Sequence, residues 1–452
     1  MSETQNAGNS TNTLMDDVLP VSLEERTLSG KSTFAIWFAC NLVVTTILTG
    51  MYMIPSLSFD VALRTILIGS AIGIVPLTLV AVMGTKTGLA TMIMGRAVFG
   101  VKGSMLPSAI NIMILIAWSW AQAGLGGLAL NYASIQLFGF DNAVLYTIIT
   151  EVLVVIIALY AIRGIALYEK IAMVVLAVIM GAVIFSAINT YSLSGLFSIP
   201  SDPSIGLTTI GVFDLVVATA LSWTPLAADY NRNCKDIRGS VTGASVGYTL
   251  GTTLSMGIGA LVIVKITLSG MEVPLDAVGG IDPSQAFGLV GFGIAGSIVI
   301  FMSVMAANVM CVYSSTMSFL NMFPKAGFKR TALIIGAICV IGAVFSGILG
   351  VFLDFVYLIG ALFIPLFAIM IADFYVIQEK KFNIDAILYP ESNNNYNYSG
   401  GVNIKAVVVY LISAALAYYW ISINPIAIGA TIPTFIIAFV LYILACKFIK
   451  NK

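Results

Sequence analysis

Apolar runs of about 20 residues follow one another along the chain, separated by short polar turns. A bilayer interior offers no water to stray backbone N–H and C=O groups, so such runs fold as helices. Of 452 residues, 59% are hydrophobic and only 9% charged, too few charges to cover a soluble surface. The pattern predicts an all-α polytopic membrane protein with 12 transmembrane helices. The spans fall near residues 32–55, 62–83, 105–135, 142–162, 165–188, 208–230, 241–268, 286–318, 331–352, 354–377, 403–422 and 425–447.

Basic residues mark one face of this array. Arg26 and Lys31 precede the first span, and Lys86, Arg96 and Lys102 follow the second. Arg163 and Lys170 flank the fourth connection, Arg232, Lys235 and Arg238 follow the sixth span, and Lys325, Lys329 and Arg330 the eighth. Lys380, Lys381 and Lys405 lie beyond the tenth, and Lys447, Lys450 and Lys452 end the chain. Only Arg64 and Lys265 fall on the other face. This bias predicts a multi-pass protein of the plasma membrane with both termini cytoplasmic. The acids opposite, Asp60, Asp141, Asp202, Glu272, Asp276 and Asp282, read as solvated loop residues. Residues 1–30 have neither an apolar signal core nor a cleavage site and read as a mobile cytoplasmic tail.

Several function classes drop out. Net charge is zero, so no nucleic-acid footprint is visible. The five cysteines are scattered without ligand spacing, so neither disulfides nor a metal site is expected. Histidine is absent, and no nucleophile constellation appears, so the chain does not read as an enzyme and no cofactor is expected. Any proton coupling must use carboxylates or water.

The sixth span carries the main irregularity. Pro225 and the polar run Ser222-Trp223-Thr224 interrupt it midway. Broken helices at membrane depth are tolerated where they line a cavity, which in secondary transporters is the substrate site. Thr219, Ser222 and Thr224 would supply hydroxyls there and Trp223 an indole. The first span holds Cys40-Asn41, Thr45-Thr46 and Thr49-Gly50, with Pro55 at its end. Matching irregularities at the start of two five-helix halves fit inverted repeats, with the Ser- and Pro-rich segment 189–207 as the seam.

In the third span Trp118 and Gln122 are four apart and share a face. They either hold a planar heterocycle, ring on indole and amide at the ring edge, or pack against neighbouring helices. Ser303 and Asn308 stand among small residues of the eighth span, and Asn308 needs a partner, whether ligand or helix. Glu151 lies mid-span in the fourth helix and is a proton-coupling candidate. Asp229 and Asp373, beside basic residues at helix ends, read as caps and ion pairs. The glycine-rich segment 84–104 reads as a connection with a short amphipathic helix, and 378–401 as a long polar cytoplasmic loop.

Several short motifs in order resemble the nucleobase–cation symporter family of purine, cytosine and allantoin-type permeases, the cytosine-permease branch most closely. They include Leu23-Glu24-Glu25-Arg26-Thr27 with Trp37-Phe38 and Asn41, then Thr85-Lys86-Thr87-Gly88-Leu89 and Phe99-Gly100-Val101-Lys102-Gly103-Ser104. They continue with Ala228-Asp229-Tyr230, Ile371-Ala372-Asp373-Phe374-Tyr375, Leu388-Tyr389, Tyr396, Tyr398, Gly401 and Asn403. The resemblance implies a LeuT-like fold: two inverted five-helix repeats plus two C-terminal helices, with alternating access about a midplane site. The implied division is a tail over 1–30, repeats over 31–190 and 205–378, a cytoplasmic loop over 379–402, and helices 11 and 12 over 403–452.

By position, the resemblance makes Trp118 the stacking indole, Gln122 a ring contact, Ser222 a contact from the broken helix, and Asn308 part of the polar cluster. The second stacking aromatic should fall near Ala220, which has no ring; Trp223 replaces it or the pocket is wider. The family's sodium site would use the Ala39 and Leu42 carbonyls, with Ser303 nearby, and two hydroxyls of the eighth helix at positions that are here Ala306 and Ala307. A hard cation wants about five or six oxygens, so proton coupling is expected over sodium, with Glu151 as carrier. The expected function is a symporter importing cytosine, a purine or a related planar heterocycle, acting as a monomer. The alternatives are an amino-acid or other small-solute carrier of the same fold, or a non-transporting nutrient sensor.

Overall fold

The computed structural model describes residues 19–448, apart from 160–161, 203, 205–206, 277–278, 346 and 391–393, and apart from the side chains of 162–173, 324 and 394. Expectations for residues 1–18, for 391–393 of the segment 378–401, for Lys450 and Lys452, and for the side chains of Arg163 and Lys170, lie outside the described residues.

The first span is two helices, α1 (Gly30–Ala39) and α2 (Val44–Met51), bent by 56° at their junction. The first half continues with α3 (Phe59–Thr87), the connecting helix α4 (Thr91–Phe99), α5 (Met105–Phe138), α6 (Ala143–Leu159) and α7 (Ile162–Leu196). The second half opens with α8 (Thr209–Trp223), a 3-10 turn at Thr224–Leu226 and α9 (Ala227–Asn231). It proceeds through α10 (Ile237–Leu268), the short α11 (Pro283–Leu289), α12 (Gly293–Met322), α13 (Phe328–Phe345) and α14 (Phe352–Ala372). After the short α15 (Ile384–Leu388) come α16 (Ile404–Tyr418) and α17 (Thr431–Phe448). Among the described residues, ten helical stretches are long and apolar enough to cross a bilayer, and the bent α1–α2 pair makes an eleventh. The shorter α6, 17 residues of apolar helix, fills the fourth expected position.

Packing repeats across the two halves. α1 lies on α10 as α3 lies on α8; α3 and α10 pack together, as do α5 with α12 and α6 with α13. The contact of α7 with α10 has its image in α14 with α3, and α5 with α6 in α12 with α13. A set of contacts that maps onto itself when the halves are exchanged is what two five-helix repeats about a pseudo-two-fold axis require. α16 and α17 pack on α14, outside the repeats.

The break in the first span is stable because neighbouring helices take up its freed backbone groups. Asn41 Nδ2 donates to the Trp37 carbonyl at 2.8 Å, and Ser255 Oγ donates to the Asn41 carbonyl at 2.7 Å. Thr252 Oγ1 donates to Asn41 Oδ1 at 3.0 Å, and Ser303 Oγ accepts the Val44 N–H at 3.2 Å. Beyond the break, α2 lies directly on α10. A Cβ on Gly50 or on Gly259 would overlap the backbone of Met256 or Ile47, so small residues set this approach.

Four expectations are corrected. α4 is not amphipathic: all nine of its residues are buried. Its Arg96 guanidinium donates to the Asn321 carbonyl at 2.9 Å and the Ile387 carbonyl at 3.3 Å, which replaces the water it loses. The described end of the N-terminal tail is pinned, not mobile: Val21 N–H donates to the Gly88 carbonyl, Arg26 to the Thr85 carbonyl, and Leu28 N–H to the Asn233 carbonyl. The segment 378–401 folds onto the protein, burying Ala386, Ile387 and Tyr396. Asp282 is buried at the start of α11, where it accepts N–H bonds from Ser284 and Gln285. Burial pushes its carboxyl above the ordinary range, against the pull of those bonds.

Candidate functional site

The break between α1 and α2 faces α12 across a small hollow. Its walls are Ala39, Cys40, Leu42 and Val43 from the break, Leu176 from α7, Trp223 at the end of α8, and Ser303, Ala306, Ala307 and Met310 from α12. The hollow measures about 20 Å³, room for about one water. The helices around it must part before a ring can enter. Three expected cation-site residues, Ala39, Leu42 and Ser303, meet here together with Trp223.

The hollow is poor in oxygen. The Ala39 carbonyl already accepts the Leu42 N–H at 3.0 Å. Ser303 Oγ donates to the Ile300 carbonyl at 2.9 Å and accepts from Val44. Methyl groups stand at Ala306 and Ala307, so Ser303 alone brings a side-chain oxygen to the walls.

The sixth span is narrowed to a 3-10 turn at Pro225, with no open unwound segment. Its hydroxyls turn back on their own helix: Thr219 donates to the Leu215 carbonyl at 2.9 Å, Ser222 to the Thr219 carbonyl at 2.7 Å, and Thr224 to the Ala220 carbonyl at 3.3 Å. They retain lone pairs and no free donors. Ala220 is fully buried with its Cβ against Gly73 of α3, so this position faces away from the hollow. Trp223, three residues on, is the aromatic that reaches the hollow.

Trp118 points inward. Its ring stands edge-on to Phe355 at 5.1 Å and to Phe352 at 6.0 Å, both at the start of α14. These two phenylalanines are missed by the sequence reading, although their spacing of three placed them on one helix face. Trp120 turns elsewhere, its indole N–H 3.4 Å from the Ile338 carbonyl of α13.

A second, polar cluster joins α5, α6 and α12. Ser119 Oγ donates to Glu151 Oε1 at 2.7 Å, and Asn308 Nδ2 donates to Glu151 Oε2 at 2.5 Å and lies 3.4 Å from the Ser119 carbonyl. Gln122 Nε2 donates to Cys311 Sγ at 3.4 Å. Glu151 and Asn308 are fully buried, and no cation pairs with Glu151 among the described residues. Gln122 Oε1 and Asn308 Oδ1 are buried acceptors with no hydrogen-bond partner. Buried acceptors left unpaired are costly and mark a place for a donor.

The expected residues therefore fall into distinct groups. Ala39, Leu42, Trp223 and Ser303 share the hollow; Gln122, Glu151 and Asn308 belong to the polar cluster; Trp118 is held by α14; Thr219 and Ser222 bond within their own helix. Of the carboxylates assigned to caps and ion pairs, Asp229 caps α4 by accepting the Thr91 N–H at 2.8 Å. Neither it nor Asp373 forms an ion pair; among the described residues only Arg64 and Asp60 do.

Comparison with known proteins agrees with this architecture. The chain superposes on the inward-facing conformation of Mhp1 with a TM-score of 0.82 and 21% identity, covering 96% of this chain and 93% of that one. It superposes on Mhp1 closed around bromovinylhydantoin, a nucleobase-cation-symport-1 family transporter, with a TM-score of 0.79 and 22% identity. Among curated proteins it is 24% identical over 421 residues to the hydantoin permease of Microbacterium maritypicum, covering 88% of this chain and 83% of that one. It is also 24% identical over 300 residues to the cytosine permease of Escherichia coli (strain K12), covering 64% of this chain and 66% of that one. Residues 20–443 match the family described as permeases for cytosine/purines, uracil, thiamine and allantoin, and the chain belongs to that family.

Proposed function

We propose that this permease imports a planar heterocycle of the nucleobase or hydantoin type by alternating access, driven by protons. The observation that carries the reading is the small hollow where the two irregular helices meet α12. Its enlargement, when the repeats rock, opens space beside Trp223 and toward Trp118. A flat ring stacked on an indole gains about 1–3 kcal/mol. The unpartnered Gln122 Oε1 matches an N–H group at such a ring's edge. The match to the family of permeases for cytosine/purines, uracil, thiamine and allantoin favours this class over amino acids.

Support for protons over sodium comes from the hollow itself. With methyls at Ala306 and Ala307, and the Ala39 carbonyl and Ser303 already engaged, the oxygens fall short of the about five or six a hard cation wants. Glu151 is the proposed proton carrier. Protonating Oε2 turns it from acceptor to donor, and the amide of Asn308 can answer by rotating Oδ1 onto the new O–H. That rotation frees Nδ2 to bond a substrate carbonyl, which ties proton to substrate. On this reading the basic face is cytoplasmic and the protein sits in the plasma membrane as a monomer.

Thermal stabilisation of the purified protein by cytosine, uracil, hypoxanthine, allantoin and hydantoin tests the assignment. At least one of them should raise the melting temperature without sodium. Trp118→Ala should abolish the shift while the unliganded protein melts cooperatively. A shift that survives Trp118→Ala removes that indole from the site.

A further inference from the structure

A second cavity shares no lining residue with the transport hollow. It measures about 590 Å³ and opens between the end of α14, the segment after it, and the helices α16 and α17. This is within the size range of small-molecule sites. It sits on the face that the basic residues assign to the cytoplasm. Four residues that carry the resemblance to the family, Asp373, Tyr396, Tyr398 and Asn403, line it, and none of them touches the transport hollow.

Asp373, 1% exposed, lines it. One carboxylate oxygen accepts the Tyr442 hydroxyl at 2.7 Å. The other, Oδ2, is buried with no hydrogen-bond partner; Gln378 lies close enough to act on the carboxylate but makes no hydrogen bond to Oδ2. A buried acceptor left in this state calls for a donor. Lys381 and Lys405 also line the cavity, and among the described residues neither forms an ion pair. Lysine ammoniums bind phosphate as point charges. The cavity also has an aromatic wall: Phe382 meets Tyr396 edge-on at 6.4 Å, and Tyr396 lies against Tyr398 at 6.4 Å. Tyr398, through its hydroxyl on the Ala97 carbonyl, and Asn403, on the Val98 and Phe99 carbonyls, fix this wall to α4.

We propose that this cavity binds a small ligand joining a phosphate to an N–H donor, with the donor on Asp373, the phosphate at Lys381 and Lys405, and, in a nucleoside monophosphate, the base on the tyrosine wall. An aminophospholipid headgroup shares the phosphate and the donor and lacks the ring. Occupancy would act on transport through α4, whose first turn is capped by Asp229 of α9. Binding is read without flux, so it stands or falls independently of the proposed substrate and coupling ion.

The full chain in phosphatidylcholine nanodiscs is titrated calorimetrically with adenosine 5′-monophosphate, cytidine 5′-monophosphate, O-phosphoethanolamine and inorganic phosphate. A nucleotide or phosphoethanolamine should bind saturably and at least about tenfold tighter than inorganic phosphate, a difference of about 1.4 kcal/mol. Nucleotide binding assigns the soluble source, and phosphoethanolamine binding the headgroup. Lys405→Gln and Asp373→Asn should each weaken that binding by about tenfold or more. Lys405, on a half-buried surface, keeps the test valid if Asp373→Asn fails to fold. No saturable binding, equal binding of inorganic phosphate, or affinity unchanged in Lys405→Gln would overturn the proposal.

Discussion

Glu151 takes one hydrogen bond on each carboxylate oxygen, from Ser119 and from Asn308. Replacing it by glutamine keeps the shape of the cluster and removes the titratable proton. Glu151→Gln is expected to retain substrate counterflow in proteoliposomes and to lose concentrative uptake under an imposed pH gradient. If the variant still concentrates substrate under that gradient, Glu151 is not on the coupling path. The sequence made Glu151 conspicuous because a carboxylate in an apolar span stands out. Its partnership with Asn308 was not legible, since that side chain arrives from a helix in the other repeat and either partner, ligand or protein, fits its chemistry. Trp118 and Gln122 were legible as neighbours by their spacing, but the Phe352 and Phe355 rings that hold Trp118 come from α14.

At the scale of the element, the two breaks differ in kind. The first span is cut cleanly, and Asn41, Thr252, Ser255 and Ser303 satisfy the gap. The sixth bends little and passes through one 3-10 turn. Pro225 announced the second break, but Ala220 and Trp223 both precede the turn on α8, and which of them faces the hollow follows from how α8 packs: Ala220 lies against Gly73 of α3, and Trp223 lines the hollow. The hydroxyl-poor face of α12 gives a gain-of-function test. Ala306→Ser with Ala307→Thr adds two oxygens to the hollow, and sodium should then raise the melting temperature of the variant and leave the parent unmoved. Equal sodium responses in both would show that oxygen count at these positions does not set ion choice. The crossing of α2 on α10 offers another test. Gly259→Val has no room against the Ile47 carbonyl, and overpacking of this kind costs about 1–3 kcal/mol. A lower melting temperature and lower folded yield are expected; an unchanged melting temperature would mean that the two helices separate freely. α4 eluded sequence reading for a related reason. Arg96 made it look amphipathic, and nothing local told that carbonyls of Asn321 and Ile387 would replace solvent around the guanidinium.

For the whole molecule, the all-helical membrane outline was legible because hydropathy and length alone fix it; against the twelve spans expected, ten helices and one bent pair among the described residues have the length and composition to cross. The pairing of helices across the repeats was not, because those contacts join residues far apart in sequence. That pairing gives the molecule two similar halves that can rock about the hollow, and it makes net flux the property to measure. Proteoliposomes loaded at pH 7.5 and diluted into pH 5.5 buffer, with and without sodium, should accumulate labelled cytosine or hydantoin above the equilibrium level. A protonophore should collapse that accumulation, and sodium should leave it unchanged. Accumulation that follows an imposed sodium gradient and ignores the pH gradient would contradict proton-driven import.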